Sequence, residues 1–306
     1  MATVGAVIAL ALSGCAGTAQ AGDAPASEAA ASEGAASDIT VTHAQGETVV
    51  ATNPEVVLTL DLASLDIMEA LGVEADGVPD SEFPDYLAKY AGDEYPKIGG
   101  LKEPDFEAIN ALAPDLLIIA GRSASFYAEL SVIAPTIDLT QEDFYAGVKA
   151  NTETLGEIFG KEDEALDALD RLDNKVATIT EATAGAGTSL TILTTGGKLS
   201  AYGPGSRFGW FNDVLGWAPV VEDVEAATHG DPISFEFIAE HNPDWLIVID
   251  RDAAIGTEGA QAARALLDNE VMAPTTAWSN DQILYVDPVL SYLVGGGLTA
   301  TEMLAD

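Results

Sequence analysis

Phe106-Glu107-Ala108-Ile109, followed by Pro114-Asp115-Leu116-Leu117-Ile118-Ile119 and closed by Gly121-Arg122, has a second copy further along the chain. That copy reads Phe235-Glu236-Phe237-Ile238, Pro243-Asp244-Trp245-Leu246-Ile247-Val248-Ile249 and Asp250-Arg251. Matched positions are offset by 129 residues, as from Phe106 to Phe235. Each copy predicts a short helix, a Pro-Asp turn and a buried strand with an arginine at its C-terminal end. Ligands of open α/β sheets collect outside the carboxyl ends of the strands. One unit per lobe therefore aims two cations, Arg122 and Arg251, into a shared cleft, an arrangement suited to gripping an anion.

Those cations stand out against the composition. Twelve Lys and Arg face 50 Asp and Glu, for a formal charge of −38, and only five of the twelve are arginines. Such a surface repels nucleic acid and anionic lipid. Apolar residues make up 48% of the 306, enough for two cored domains. Cys15, the single cysteine, excludes an internal disulfide and any cysteine metal cluster. It follows a short apolar run and Leu12-Ser13-Gly14, a lipobox pattern in which the cysteine is cut and lipidated, although no Lys or Arg precedes Lys89. Residues 16–38 are Ala, Ser, Gly and Glu with almost nothing large and read as a flexible tether.

The expected organisation is a signal with lipobox over 1–15, the tether over 16–38, an N-terminal lobe over 39–143, an interlobe helix over 144–184 and a C-terminal lobe over 185–306. The first lobe opens with a hairpin over 39–50, a strand over 56–60, a helix over 61–71 and a strand starting at 73–78. From 144 to 183 there is no proline, and apolar residues recur at helical spacing, with Gly156 and Gly160 as points of interruption. A single helix of that length spans roughly 50 Å and acts as a spine between lobes. The fold class is α/β, two lobes around a ligand cleft.

Three further positions bear on chemistry. Arg207 sits in Gly203-Pro204-Gly205-Ser206-Arg207-Phe208-Gly209, whose glycines let backbone approach a ligand closely. It is not a dinucleotide fingerprint, because Phe208 stands where G-x-G-x-x-G needs its last glycine. His229 lies in a loop, Thr228-His229-Gly230, and Tyr292 directly precedes Leu293, Val294 and the triplet Gly295-Gly296-Gly297. His43 and His241 read as structural or solvated, and three scattered histidines are poor material for a zinc cage. No G-x-S-x-G, H-E-x-x-H or P-loop occurs, so no catalytic set is expected and no intrinsic cofactor.

From about residue 39 onward the chain resembles the substrate-binding lipoproteins of bacterial iron–siderophore ABC importers, in the branch that takes catecholates such as petrobactin. The resemblance is carried by Gly99-Gly100-Leu101-Lys102-Glu103-Pro104-Asp105-Phe106-Glu107, by Lys198-Leu199-Ser200-Ala201-Tyr202 with the glycine loop after it, by Thr228-His229-Gly230, and by Gly295-Gly296-Gly297-Leu298-Thr299. It implies two α/β lobes joined by one long helix, with Arg122, Arg207 and Arg251 as a triad receiving catecholate oxygens. His229 and Tyr292 match positions that in some members bind Fe³⁺ directly when a tetradentate siderophore leaves two sites open. Glu107 and Glu236, one per lobe, match the pair that docks on permease arginines, with Glu103 as a competitor to Glu107. The implied protein is a monomeric, lipid-anchored extracytoplasmic receptor that works with an ABC permease and its ATPase and touches the membrane through its anchor only. A haem or corrinoid receptor on the same fold, a metal-ion receptor and an extracellular siderophore-modifying hydrolase are the competing readings.

Overall fold

The computed structural model describes residues 37–222, 224, 230–259 and 261–306. The expectations for Cys15, for nearly all of the tether and for His229 fall outside these residues.

The described chain begins with the hairpin, Asp38–His43 against Gly46–Ala51 in antiparallel register. The first lobe then builds a parallel sheet in the order Val57–Thr59, Leu116–Ile119, Thr136–Asp138. All four residues of the central strand are buried, as a parallel strand covered on both faces requires. The extended stretch expected over 73–78 contributes only single bridges, Leu58 to Gly77 and Val78 to Lys97. The second lobe carries a mixed sheet ordered Asp231–Ile233, Lys198–Tyr202, Thr188–Thr195, Trp245–Asp250, Ile283–Tyr285, with Ala218–Pro219 also paired to Thr188–Thr195.

The duplication is structural down to its caps. Helices Phe106–Leu112 and Phe235–His241 start on Asp105 and Ser234, whose side chains accept backbone N–H groups of the first turn. Both end on left-handed residues, Ala113 at φ 49° and Asn242 at φ 44°. The aspartates of the two Pro-Asp turns then reach across to the start of the neighbouring parallel strand in each sheet. Asp115 accepts the N–H of Val56 at 2.9 Å, and Asp244 accepts that of Thr188 at 2.8 Å. Ile109 and Ile238, both fully buried, pin the two helices to their sheets. Truncating either to alanine costs about 2–5 kcal/mol by the usual core rule.

One expectation needs correction. The segment over 144–183 is two helices, Phe144–Phe159 and Glu162–Thr183, folded back on each other. Gly160, at φ 59°, closes the first by donating to the carbonyls of Glu157 and Gly156. A Cβ on Gly156 would stand 2.9 Å from that of Ala165, so the hairpin closes on a bare backbone. Tyr145 and Lys149 of the first helix both bond Asp173 of the second. The interlobe element is therefore the 22-residue helix Glu162–Thr183, about 33 Å long. Its C-terminal end is tied to the second lobe by Thr180 and Thr183, which donate to the carbonyls of Val214 and Leu215.

The second lobe also does not run to the chain end. After Ile283–Tyr285 the chain crosses back, and helix Leu298–Leu304 packs on helix Leu62–Ala70 of the first lobe. The anchor is Asp66, which is fully buried and accepts the N–H groups of Thr299 at 2.7 Å and Ala300 at 3.0 Å, together with the hydroxyl of Tyr86. The glycine triplet fits this return. Gly296 takes φ 102°, and a Cβ on Gly297 would strike Asp66 at 2.6 Å.

Burial raises the Asp66 carboxyl from 3.8 to about 6, against the pull of its hydrogen-bond donors. A raised carboxylate makes the folded state bind the extra proton, so its contribution to stability falls as pH rises through that window. Relative to wild type, Asp66→Asn is expected to gain about 3 kcal/mol in denaturant-unfolding free energy between about pH 4 and pH 7. A difference that stays flat with pH, or moves the other way, would show that the buried carboxylate is not held at that cost.

Candidate functional site

Arg122 lies within a turn closed by Ser123, a buried residue whose hydroxyl donates to the carbonyl of Leu60 at 3.0 Å and accepts the N–H of Ala120 at 3.2 Å. Arg251 opens the short helix Arg251–Ala254, capped by Asp250. Its Nη1 donates to Thr195 Oγ1 at 3.1 Å, and Asp252 lies 3.7 Å away. Arg207 is presented by the glycine loop, closed where Asp213 accepts the N–H of Gly205 at 2.7 Å. A Cβ on Gly209 would stand 2.6 Å from the carbonyl oxygen of Gly203, so only glycine permits that closure.

All three guanidiniums meet at Tyr292. Its carbonyl oxygen accepts from Arg122 at 2.9 Å and from Arg207 at 2.7 Å, and its hydroxyl accepts from Arg251 Nε at 2.9 Å. The arginines also surround its ring, with guanidinium carbons 5.3, 4.6 and 5.6 Å from the centroid for Arg122, Arg207 and Arg251. Such cation–ring contacts add roughly 0.5–2 kcal/mol each, depending on desolvation. Tyr292 sits on a single π-helical turn, Val289–Leu293, within the segment that crosses between the lobes. Pi turns of this kind recur at functional sites. One carbonyl on that crossing thus takes an arginine from each lobe.

A cavity of about 320 Å³ opens at this point. The first lobe supplies Arg122, Leu101 and Lys102, the second Arg251 and Ile255, and the crossing segment Tyr292 and Leu293. The cavity is therefore interlobe, with a cationic wall beside apolar patches, and Asp80 and Glu103 also line it. Arg207 keeps contact with solvent yet is crowded by both lobes; that desolvation, and then the like charge of Arg122, lower its pKa. Desolvation pushes the Tyr292 phenol up, but the Arg251 hydrogen bond and the three positive charges outweigh it, and the net shift is downward. In contrast Tyr86, Tyr90, Tyr95, Tyr145, Tyr202 and Tyr285 are shifted upward, desolvation being the largest cause in each.

Among the described residues no group of three or more His, Cys, Asp or Glu is placed to hold a metal, and no helix is long and apolar enough to cross a membrane. Glu107 and Glu236 are both exposed in the first turns of the duplicated helices. Glu103 is exposed and lines the cavity. Of the residues singled out in the sequence, the structure brings Arg122, Arg207, Arg251 and Tyr292 together at one point. The sequence reading missed Thr195, which orients Arg251, and Asp66, which fixes the return helix beyond Tyr292. Asp252 carried a faint signal, as the acid directly after a strand-end arginine.

The fold and site define a class: two α/β lobes with a cationic interlobe cleft are those of a solute receptor. Residues 56–290 match the sequence model of the periplasmic binding protein family, and the chain belongs to that family. It is 38% identical to the petrobactin-binding protein YclQ of Bacillus subtilis, over 88% of this chain and 86% of that protein. It is 33% identical to the ferric-anguibactin-binding protein FatB of Vibrio anguillarum, over 88% and 85% of the two chains. The crystal structure of YclQ superposes with a TM-score of 0.85, covering 88% of this chain and 96% of that one. The periplasmic catecholate-siderophore binding protein VctP of Vibrio cholerae, 34% identical, superposes with a TM-score of 0.84 over 88% and 99%.

The charge arrangement sets an order of ionisation. In a spectrophotometric tyrosine titration the first phenol to ionise is expected to vanish in Tyr292→Phe and to move to higher pH in Arg251→Gln. An unchanged first step in both variants would mean that the guanidiniums do not act on this ring.

Proposed function

We propose that the protein captures a ferric catecholate siderophore between its lobes and hands it to an ABC permease for iron uptake. The observation that carries this is the convergence of Arg122, Arg207 and Arg251 on one tyrosine at the interlobe cavity. A ferric catecholate is a multiply charged anion, and guanidinium is the planar, permanently charged donor suited to its oxygens. Fixed cations in a partly desolvated cleft act with less screening than in bulk water. The ligands named for YclQ, FatB and VctP support the same chemistry.

Tyr292 serves this function twice. Without ligand it holds the triad together; with a tetradentate siderophore its hydroxyl, together with His229, completes the coordination of Fe³⁺, a hard ion that accepts phenolate oxygen and imidazole nitrogen. The lowered phenol pKa supports that role, since a ligand must lose its proton. Glu107 and Glu236, equivalent by duplication and exposed one per lobe, dock on the permease. Cys15 carries the lipid that tethers the receptor to the outer face of the cell membrane. The bound siderophore is cargo, and the protein does no chemistry on it.

Arg122→Ala, Arg207→Ala and Arg251→Ala are each expected to cost about 1.5–3 kcal/mol in affinity for a ferric catecholate, the range for hydrogen bonds to charged groups. Tryptophan-quenching titration against a panel of ferric catecholate, hydroxamate and carboxylate siderophores, with haem included, checks this. Wild-type affinity in all three variants would overturn the reading, and a Soret band with haem would redirect it.

A further inference from the structure

Two threonines stand at matching places beside the arginine-bearing strands, one in each lobe. Thr195 ends strand Thr188–Thr195, which runs parallel to Trp245–Asp250 and pairs Thr194 with Asp250. Thr140 lies just past strand Thr136–Asp138, which runs parallel to Leu116–Ile119 and pairs Asp138 with Ile119. Both are half-buried, and neither lines the cavity at Tyr292.

Their hydroxyls are committed at both ends. Thr195 Oγ1 accepts from Arg251 Nη1 at 3.1 Å and donates to Asp252 Oδ1 at 3.2 Å. Thr140 Oγ1 accepts the N–H of Gly121 at 2.7 Å and donates to Asp138. The directions follow from the partners, since guanidinium and backbone N–H groups only donate and a carboxylate accepts. Both aspartates are buried and held in turn. Asp252, 7% exposed, takes the N–H of Gly196 at 2.6 Å, and Asp138, 1% exposed, takes the Gln45 side-chain amide at 2.8 Å. Each fixed carboxylate therefore aims a hydroxyl, and each hydroxyl aims an arginine unit.

This chemistry is not a copy made by the duplication. At the offset of 129 residues, Asp252 matches Ser123 and Thr195 matches Asp66. The lobes reach an aspartate–threonine pair from unrelated positions, and they grip different groups with it. In the first lobe the backbone of Gly121, left-handed at φ 49°, is held one residue before Arg122. In the second the guanidinium itself is held.

We propose that Thr195 and Thr140 are positioning residues that set the aim of Arg251 and Arg122, and through them the strength of the triad's grip on its anion. The placement of the arginines stands on the geometry alone, whereas the effect on ligand affinity rests on the ferric catecholate reading above. Without the Thr195 hydroxyl, Arg251 is left with the Tyr292 hydroxyl as its hydrogen-bond acceptor among the described residues. Its guanidinium is then free to swing away from the phenol.

Valine removes each hydroxyl at nearly constant shape, and serine keeps it. In the full chain, Thr195→Val and Thr140→Val are expected to weaken binding of a ferric tris-catecholate about three- to tenfold by tryptophan quenching, the scale of one hydrogen bond. Thr195→Ser and Thr140→Ser should bind as wild type. A tyrosine titration without ligand gives the second readout: the first phenol to ionise should move to higher pH in Thr195→Val and stay in place in Thr195→Ser. Valine variants that bind as wild type, serine variants as weak as the valine ones, or an unmoved phenol step in Thr195→Val would overturn the proposal. Should wild type itself not bind the ferric catecholate, the functional reading falls, and the phenol step alone decides whether Thr195 places Arg251.

Discussion

Three guanidiniums gathered around one tyrosine are costly in themselves, because like charges repel and each loses water. The molecule offsets that cost with a carbonyl shared by Arg122 and Arg207, a hydroxyl that takes Arg251, and the negative face of the ring between them. Neutralising acids are few at this point: Asp252 lies 3.7 Å from Arg251, and Asp61 acts on Arg122. In a chain of net charge −38 the result is a local cationic wall with spare capacity for an anion. The groups are already oriented, so an entering ligand need not order them first.

The rest of the architecture keeps that meeting point in place. Duplicated helix–turn–strand units deliver Arg122 and Arg251 to equivalent ends of two sheets, and Asp115 and Asp244 lock each unit to the start of the neighbouring parallel strand. Tyr292 belongs to neither sheet. It rides on the crossing segment, whose far end is fastened to the first lobe by Asp66 and the backbone of Thr299 and Ala300. The crossing segment is thus a second link between the lobes beside helix Glu162–Thr183, and it carries the residue that all three arginines hold.

Much of this was readable because it rests on local chemistry. Strand-end arginines, a Pro-Asp turn and a glycine loop each leave a mark within a few residues. The interlobe hairpin left only Gly156 and Gly160 as a mark, because apolar positions keep helical spacing on both sides of Gly160 and periodicity cannot register a reversal of direction. The stretch at 73–78 looked like a strand, yet its pairing is set by distant neighbours and amounts to isolated bridges. Asp66 was invisible for a different reason. An aspartate inside a helix reads as surface, and its burial exists only once the C-terminal helix has crossed back over it. The glycine triplet is plain in the sequence, but its reason lies in the fold, where Gly297 is pressed against that carboxylate.

The central claim concerns where the iron sits. Crystals grown with a ferric catecholate siderophore and measured at the iron absorption edge locate the metal directly from its anomalous signal. The expected result is one iron peak in the interlobe cavity, with chelate oxygens on Arg122, Arg207 and Arg251 and the Tyr292 side chain beside the metal. Iron found only among surface carboxylates, with the three arginines still closed on Tyr292, would contradict the account.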